Sequence, residues 1–327
     1  MFVTLAGQPV LDTLLAIMLV LTACGCFLVG VNLMSRGFTQ STLKAGSFFT
    51  RGYICKNRFR GVWAGFSRTA VVQSSDVTSV TLVRLADIGV ITIFQACACV
   101  IGANIGTTVT TFIVSLTALN LTPYFAFCAF IGAIPLLSKR RKVKIFGEIV
   151  AGFGILFIGL QLLSANLENE AFRSLIQTIF NATTNPLLLI AMAMGMTMIV
   201  QSSSVVTSLV IFLISGALLP LESAICLVAG ANIGTCITSW FAAGGSSRSA
   251  RQVALFHTLF NLVGAAIFIA VLYTPIKDSV INWFDALKIN AEFKVALFHL
   301  SFNLCAALVM IPLLRPSVWL CKKIIRH

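Results

Sequence analysis

The sequence predicts an all-α polytopic membrane protein built from two inverted-topology repeats, with re-entrant helical hairpins and broken transmembrane helices. Three observations lead there. Of 327 residues, 58% are hydrophobic and only 10% charged, with a mean hydropathy of +0.98. A soluble domain runs nearer half apolar and a quarter charged, so this chain has too little polar surface to cover a core in water. Soluble, disordered, collagen-like and disulfide-scaffold classes are excluded with it. Apolar runs of about 20 residues, the reach of a bilayer crossing, recur along the length. Finally, one pair of polar motifs occurs twice.

The elements follow in order. A first span covers about 11–34, and a basic segment with Arg36, Lys44, Arg51, Lys56, Arg58 and Arg60 comes next. The stretch 61–88 is broken by Gln73-Ser74-Ser75-Asp76. A span at 90–119 is interrupted by Gly102 to Thr107, and a short turn with Pro123 leads into a span at 122–138. The most basic loop, 139–144, closes the first repeat, 1–144. The second repeat, 145–327, opens with a span at 145–164 and a polar connection carrying Glu168, Glu170 and Arg173. The stretch 186–214 is broken by Gln201-Ser202-Ser203-Ser204, and the span at 219–242 is interrupted by Gly230 to Thr235. A loop with Arg248 and Arg251, spans at 253–273 and 294–314, and a basic tail complete the chain.

Net charge is +13. Basic residues in short loops between apolar spans fit the positive-inside rule, so membrane orientation explains the charge and nucleic acid is not an expected partner. If the two broken stretches return to the side they came from, the loops 36–60, 139–144 and 244–252 and the tail share one side. The N-terminus and the acidic connections at 165–185 and 274–293 share the other. Making the broken stretches full crossings splits the positive charge. The expectation is therefore re-entrant hairpins, with the N-terminus outside and the C-terminus cytoplasmic. Met1 to Thr13 has no basic region, so no cleavable signal peptide is expected. The cysteines form no CxxC and lie mostly in apolar runs, where Cys packs as a small hydrophobe.

Both motifs repeat at one offset: 201 minus 73 and 230 minus 102 each give 128 residues. Three crossings between the copies would invert the second, a plan common in secondary transporters. The chemistry of the motifs fits that plan. Unwound backbone within a membrane is tolerated only against protein or a wet cavity. Unwinding frees helix N-termini, which attract anions, and it frees carbonyls and hydroxyls that can replace water around Na⁺. Gln73, Ser74, Ser75, Asp76, Asn104, Thr107, Gln201, Ser202, Ser203, Ser204, Asn232 and Thr235 are therefore candidate ligands for an anion and a small cation. The competing reading is close helix packing through small residues. Asp76 breaks the symmetry, because its counterpart is Ser204. It either binds a coupling cation or caps the following half-helix. Arg68 and Arg84 either face the anion or snorkel to the interface. A second short repeat places His257 and Asn261, and again His299 and Asn303, four residues apart on one helix face. These residues either bond neighbouring helices or ligate a haem.

The duplicated Gln-Ser-Ser and Gly-Ala-Asn-Ile-Gly-Thr motifs resemble those of the type II sodium-dependent phosphate cotransporter family and its bacterial relatives. The resemblance runs from the Gly30 region to residues 302–304. It implies two inverted repeats with re-entrant hairpins and sodium-coupled uptake of inorganic phosphate across the plasma membrane, with no enzymatic activity and no cofactor beyond sodium. The family's Gln-Ser-Ser-Ser falls on Gln73, Ser74 and Ser75, with Asp76 departing, and on Gln201 to Ser204. Its second motif supplies Asn104, Thr107, Asn232 and Thr235. A carboxylate near phosphate repels it unless a cation or proton intervenes, so Asp76 bears on stoichiometry. Some bacterial relatives continue into a soluble regulatory domain, which is not expected here. Proton-coupled carriage of another anion is the near alternative.

Overall fold

The computed structural model describes residues 8–42, 57–119, 121–165, 170–181, 183 and 185–326. Lys44, Arg51, Lys56 and Glu168 lie outside them. The described residues form helices and turns, with no strand among them. The helices are α1 (Gln8–Thr42), α2 (Arg58–Val72), α3 (Ser75–Asp87), α4 (Ile93–Ser115), α5 (Thr122–Leu136), α6 (Arg141–Ala165), α7 (Glu170–Asn181) and α8 (Pro186–Val200). They continue as α9 (Ser203–Ser215), α10 (Leu221–Gly234), α11 (Cys236–Ala243), α12 (Arg248–Leu272), α13 (Ile276–Ala286), α14 (Ala291–Met310) and α15 (Leu314–Ile324).

Six stretches are long and apolar enough to cross a membrane: 17–41, 93–119, 141–164, 221–243, 248–272 and 291–310. The arms of the two broken stretches are shorter, at 15 and 13 residues in each copy. At about 1.5 Å per residue such arms reach roughly 20 Å, short of a hydrocarbon core of about 30 Å. α5 is also only 15 residues long, so the full crossing expected at 122–138 is not formed as one helix of spanning length.

α4 and α10 occupy the interior. Residues Ala96 to Ile101 of α4 are fully enclosed, and α10 is buried from Ala224 to Asn232. α2 packs on α4 and α8 packs on α10. The second arm of each hairpin then crosses to the other copy, α3 against α11 and α9 against α4. α14 lies against α4, α9 and α10, and α12 lies against α3, α4 and α10. Large apolar side chains at Leu21, Phe130, Ile199 and Leu308 face outward, as expected of surfaces covered by lipid.

Contacts at the hairpin bases fix where each hairpin starts and ends. Arg58, at the start of α2, donates to the Ile311 carbonyl (3.2 Å). Asp87, at the end of α3, accepts from the Ser247 backbone N–H (2.7 Å). Gln252 donates to the Ile325 carbonyl. Both ends of the first hairpin therefore lie at the end of the bundle that carries the 244–252 loop and the tail. The second hairpin ends at the opposite side, where Ser215 shares a cavity with Thr117, Ser164 and Glu292.

Two expectations change. The Gly102–Thr107 segment does not break its helix, since α4 runs continuously from Ile93 to Ser115. In the second copy the only break is at Thr235, between α10 and α11. The polar connections are also partly helical, with α7 in one and α13 in the other. Both are amphipathic segments of the kind that lie along an interface.

Candidate functional site

The two Gln-Ser-Ser segments fold alike. α2 ends at Val72 and α8 at Val200. Gln73 then takes φ 58° and ψ 26°, and Gln201 takes φ 56° and ψ 30°. Each is a left-handed C-cap whose N–H bonds the carbonyl four residues back, on Thr69 or Thr197 (both 2.7 Å). A non-glycine residue held there costs on the order of 1 kcal/mol or more, and finding the same conformation at both equivalent positions marks a device that the repeat preserves. Ser74 and Ser202 follow in extended conformation and start the next helices. Each tip therefore presents the N-terminus of a 13-residue helix and the positive end of its dipole.

The tips differ in their surroundings. Gln73 is 4% exposed, its Nε2 donates to the Ala70 carbonyl, and its buried Oε1 has no hydrogen-bond partner among the described residues. Gln201 is exposed. Ser74 Oγ accepts from the Val77 N–H (3.2 Å), whereas Ser202 makes no capping bond. Ser75 and Ser203 are both buried. Asp76 is not the helix cap, because Ser74 is; Asp76 Oδ1 accepts from Thr238 Oγ1 (3.0 Å). That bond ties the first tip to α11 of the other copy, three residues beyond Thr235. Among the described residues no hydrogen bond joins Ser74 to Ser202 directly. The main-chain carbonyl of Ser204 accepts from Ser208 Oγ (2.6 Å).

The polar side chains of the second motif donate along their own helices. Asn104 and Asn232 donate to the carbonyls of Val100 and Val228, and Thr107 and Thr235 donate to those of Ala103 and Ala231, all at 2.9–3.0 Å. These donors are satisfied along the helix, so the first copy need not unwind, whereas the second is interrupted at Thr235. The glycines admit a neighbouring backbone. A Cβ on Gly102 would stand 1.8 Å from the Val62 carbonyl oxygen, and one on Gly230 would stand 2.2 Å from that of Ile190. Val62 and Ile190 are themselves 128 residues apart. For the glycines the packing reading holds.

The histidines bind these helices together. His299 Nε2 donates to Asn232 Oδ1 (3.1 Å), and Thr111 Oγ1 donates to His299 Nδ1 (2.7 Å). Ser239, the repeat counterpart of Thr111, shares a hydrogen bond with His257 Nδ1 (2.8 Å). His257 Nε2, in contrast, has no partner. These are interhelical bonds rather than an axial pair. Arg84 lies 3.9 Å from Asp87 and donates to Ser246 (3.1 Å) at the hairpin base, so it sits at the end of the bundle and away from the tip.

The sequence reading missed Thr69 and Thr197. They lie one turn before the two tips, are fully enclosed, and neither hydroxyl makes a hydrogen bond among the described residues. Burying an unpaired hydroxyl costs about 1–3 kcal/mol. The signal was available, because both are Thr at the same offset, but only the polar run after them stood out.

A bundle of apolar helices, with two hairpins that end at opposite sides and carry polar tips, defines a multi-pass membrane protein. The chain belongs to the Na⁺/Pi-cotransporter family, whose model matches twice, over residues 26–165 and 159–301. The double match coincides with the internal repeat. A Salmonella typhimurium protein provisionally named inorganic phosphate export protein YjbB is 28% identical over 265 residues, covering 80% of this chain and 47% of that protein. The chain thus corresponds to about half that relative's length. The Bacillus subtilis protein YqeW is 28% identical over 207 residues, 62% of this chain and 66% of its own. The sodium-dependent phosphate transport protein 2B of Rattus norvegicus is 33% identical over 135 residues, 37% of this chain and 19% of its own. No solved structure matches.

Proposed function

We propose that this protein moves inorganic phosphate across the cell membrane by alternating access, coupled to sodium ions. The observation that carries the reading is the duplicated tip, a left-handed Gln followed by an extended Ser that opens a helix, reached from opposite ends of the bundle. That geometry fits an inverted repeat, in which one set of elements rocks against the other around a shared site. Phosphate is an oxyanion suited to helix N-termini, here those of α3 and α9 with Ser74, Ser75, Ser202 and Ser203. Sodium is suited to uncharged oxygens and one carboxylate: Gln73, Gln201, Ser204 and Asp76, with the hydroxyls of Thr69 and Thr197 nearby. Asn104, Thr107, Asn232 and Thr235 support the tips from the adjoining helices. Asp76 is compatible with phosphate because a coupling cation neutralises it.

The proposed direction is uptake driven by the inward sodium gradient, with the C-terminus on the cytoplasmic side. The exporter name carried by YjbB makes efflux the second reading. Proteoliposomes test both. Labelled phosphate is expected to accumulate when sodium is outside and to stay at background when choline replaces it. Equal uptake in choline overturns sodium coupling, and release of preloaded phosphate without uptake reverses the direction.

A further inference from the structure

The interior of the bundle holds several cavities. Two are lined almost wholly by apolar side chains, one between α12, α13 and α14, the other beside Gln73. A third, of about 320 Å³, is different. It lies at the end of the bundle opposite the 244–252 loop, and its polar lining comes from Thr117, Ser164, Ser215 and Glu292. These residues come from the end of the α4 segment, α6, α9 and the first turn of α14.

The state of their hydrogens determines what the cavity can hold. Thr117 Oγ1 donates to the Val114 carbonyl (2.9 Å), Ser164 Oγ to that of Leu160 (3.0 Å) and Ser215 Oγ to that of Phe212 (2.8 Å). A hydroxyl has one hydrogen and two lone pairs. With the hydrogen committed to its own helix, each of the three offers only acceptor lone pairs. Glu292 adds a carboxylate, also acceptor-only. It makes no ion pair among the described residues, and the basic residue two positions on, Lys294, is bound to Asp285 (3.0 Å). The side chains therefore supply acceptors, one negative charge and no donor. That composition selects a cation over phosphate. A single carboxylate balances one monovalent charge, whereas calcium sites gather several carboxylates among six to eight oxygens. The volume equals that of roughly ten waters at about 30 Å³ each, so the ion would keep part of its hydration shell.

We propose that this cavity is a second, weaker sodium site, separate from the hairpin tips, where a partly hydrated ion is held by Glu292 and the hydroxyls of Thr117, Ser164 and Ser215. Because Ser215 ends the second arm of the second hairpin, the ion sits against the element that carries Ser203. Its role in transport rests on the sodium-coupled reading above, but its existence as a binding site does not.

The test is equilibrium binding of labelled sodium to purified protein in nanodiscs, with no phosphate present. Wild type is expected to show a component that Glu292→Gln weakens at least tenfold and Glu292→Asp largely restores. Ser164→Ala with Ser215→Ala should weaken it several-fold. A Glu292→Gln isotherm that superimposes on wild type, with the variant monodisperse, overturns the site, as does an absence of sodium binding to wild type. Phosphate uptake by the same preparations is read separately. A Glu292-dependent binding component alongside sodium-independent uptake keeps this site and removes the sodium-coupled reading.

Discussion

The two hairpin tips share a backbone and differ in their engagement. At the first, Gln73 is buried, Ser74 caps its helix and Asp76 is bonded to Thr238 of the other copy. At the second, Gln201 is exposed and Ser202 makes no side-chain capping bond. The histidines are unequal in the same way, since His299 reaches Asn232 while His257 Nε2 has no partner. The difference teaches that the duplicated sequence specifies the turn, while the side chains around each turn, Thr238 of the other copy among them, set how it is held.

Four experiments break or sharpen that comparison. The largest effect is expected where the two copies are most alike. Gly102→Leu or Gly230→Leu drives a side chain into the backbone of α2 or α8 and is expected to cost about 3 kcal/mol or more, read as loss of monodisperse protein and a collapsed melting temperature. If both variants stay fully stable, the close approach is not structural. Next, Ser75→Ala and Ser203→Ala remove buried hydroxyls at equivalent places, and each is expected to lower phosphate uptake at least tenfold. Loss in one copy with full activity in the other would limit the site to a single tip.

Asp76→Asn is expected to raise the sodium concentration for half-maximal uptake about tenfold, a change of about 1.4 kcal/mol. Ser204→Ala, its counterpart, should shift it less than twofold. Identical sodium curves for wild type and Asp76→Asn remove the carboxylate from coupling. The smallest effect concerns the caps. Ser74→Ala should destabilise by about 1 kcal/mol through loss of its bond to Val77, and Ser202→Ala by only a few tenths. Chemical denaturation in detergent separates them, and equal losses would mean that Ser202 caps its helix after all.

Much of this was legible in the sequence. The helical class followed from composition, and the hairpins followed from polar breaks combined with the placement of Arg and Lys. The tips were identified by repetition, since a Gln-Ser-Ser that recurs at a fixed offset stands out. The first Gly-Ala-Asn-Ile-Gly-Thr segment, Gly102 to Thr107, was misread as a helix break for a physical reason. Asn and Thr look like helix breakers in an apolar run, yet on an intact turn they bond the carbonyl four residues back and leave the helix whole. The partner of Asp76 was invisible because Thr238 lies 162 residues away. α7 and α13 escaped because a search for continuous apolar runs passes over helices with one polar face.

The glycine contacts also bear on how this protein can move. Where a methyl group would not fit between two backbones, those backbones have no play, so α2 must travel with α4, and α8 with α10, like boards glued edge to edge. In the proposed alternating-access cycle, any swing would pivot elsewhere, along the seams where α3 meets α11 and α9 meets α4.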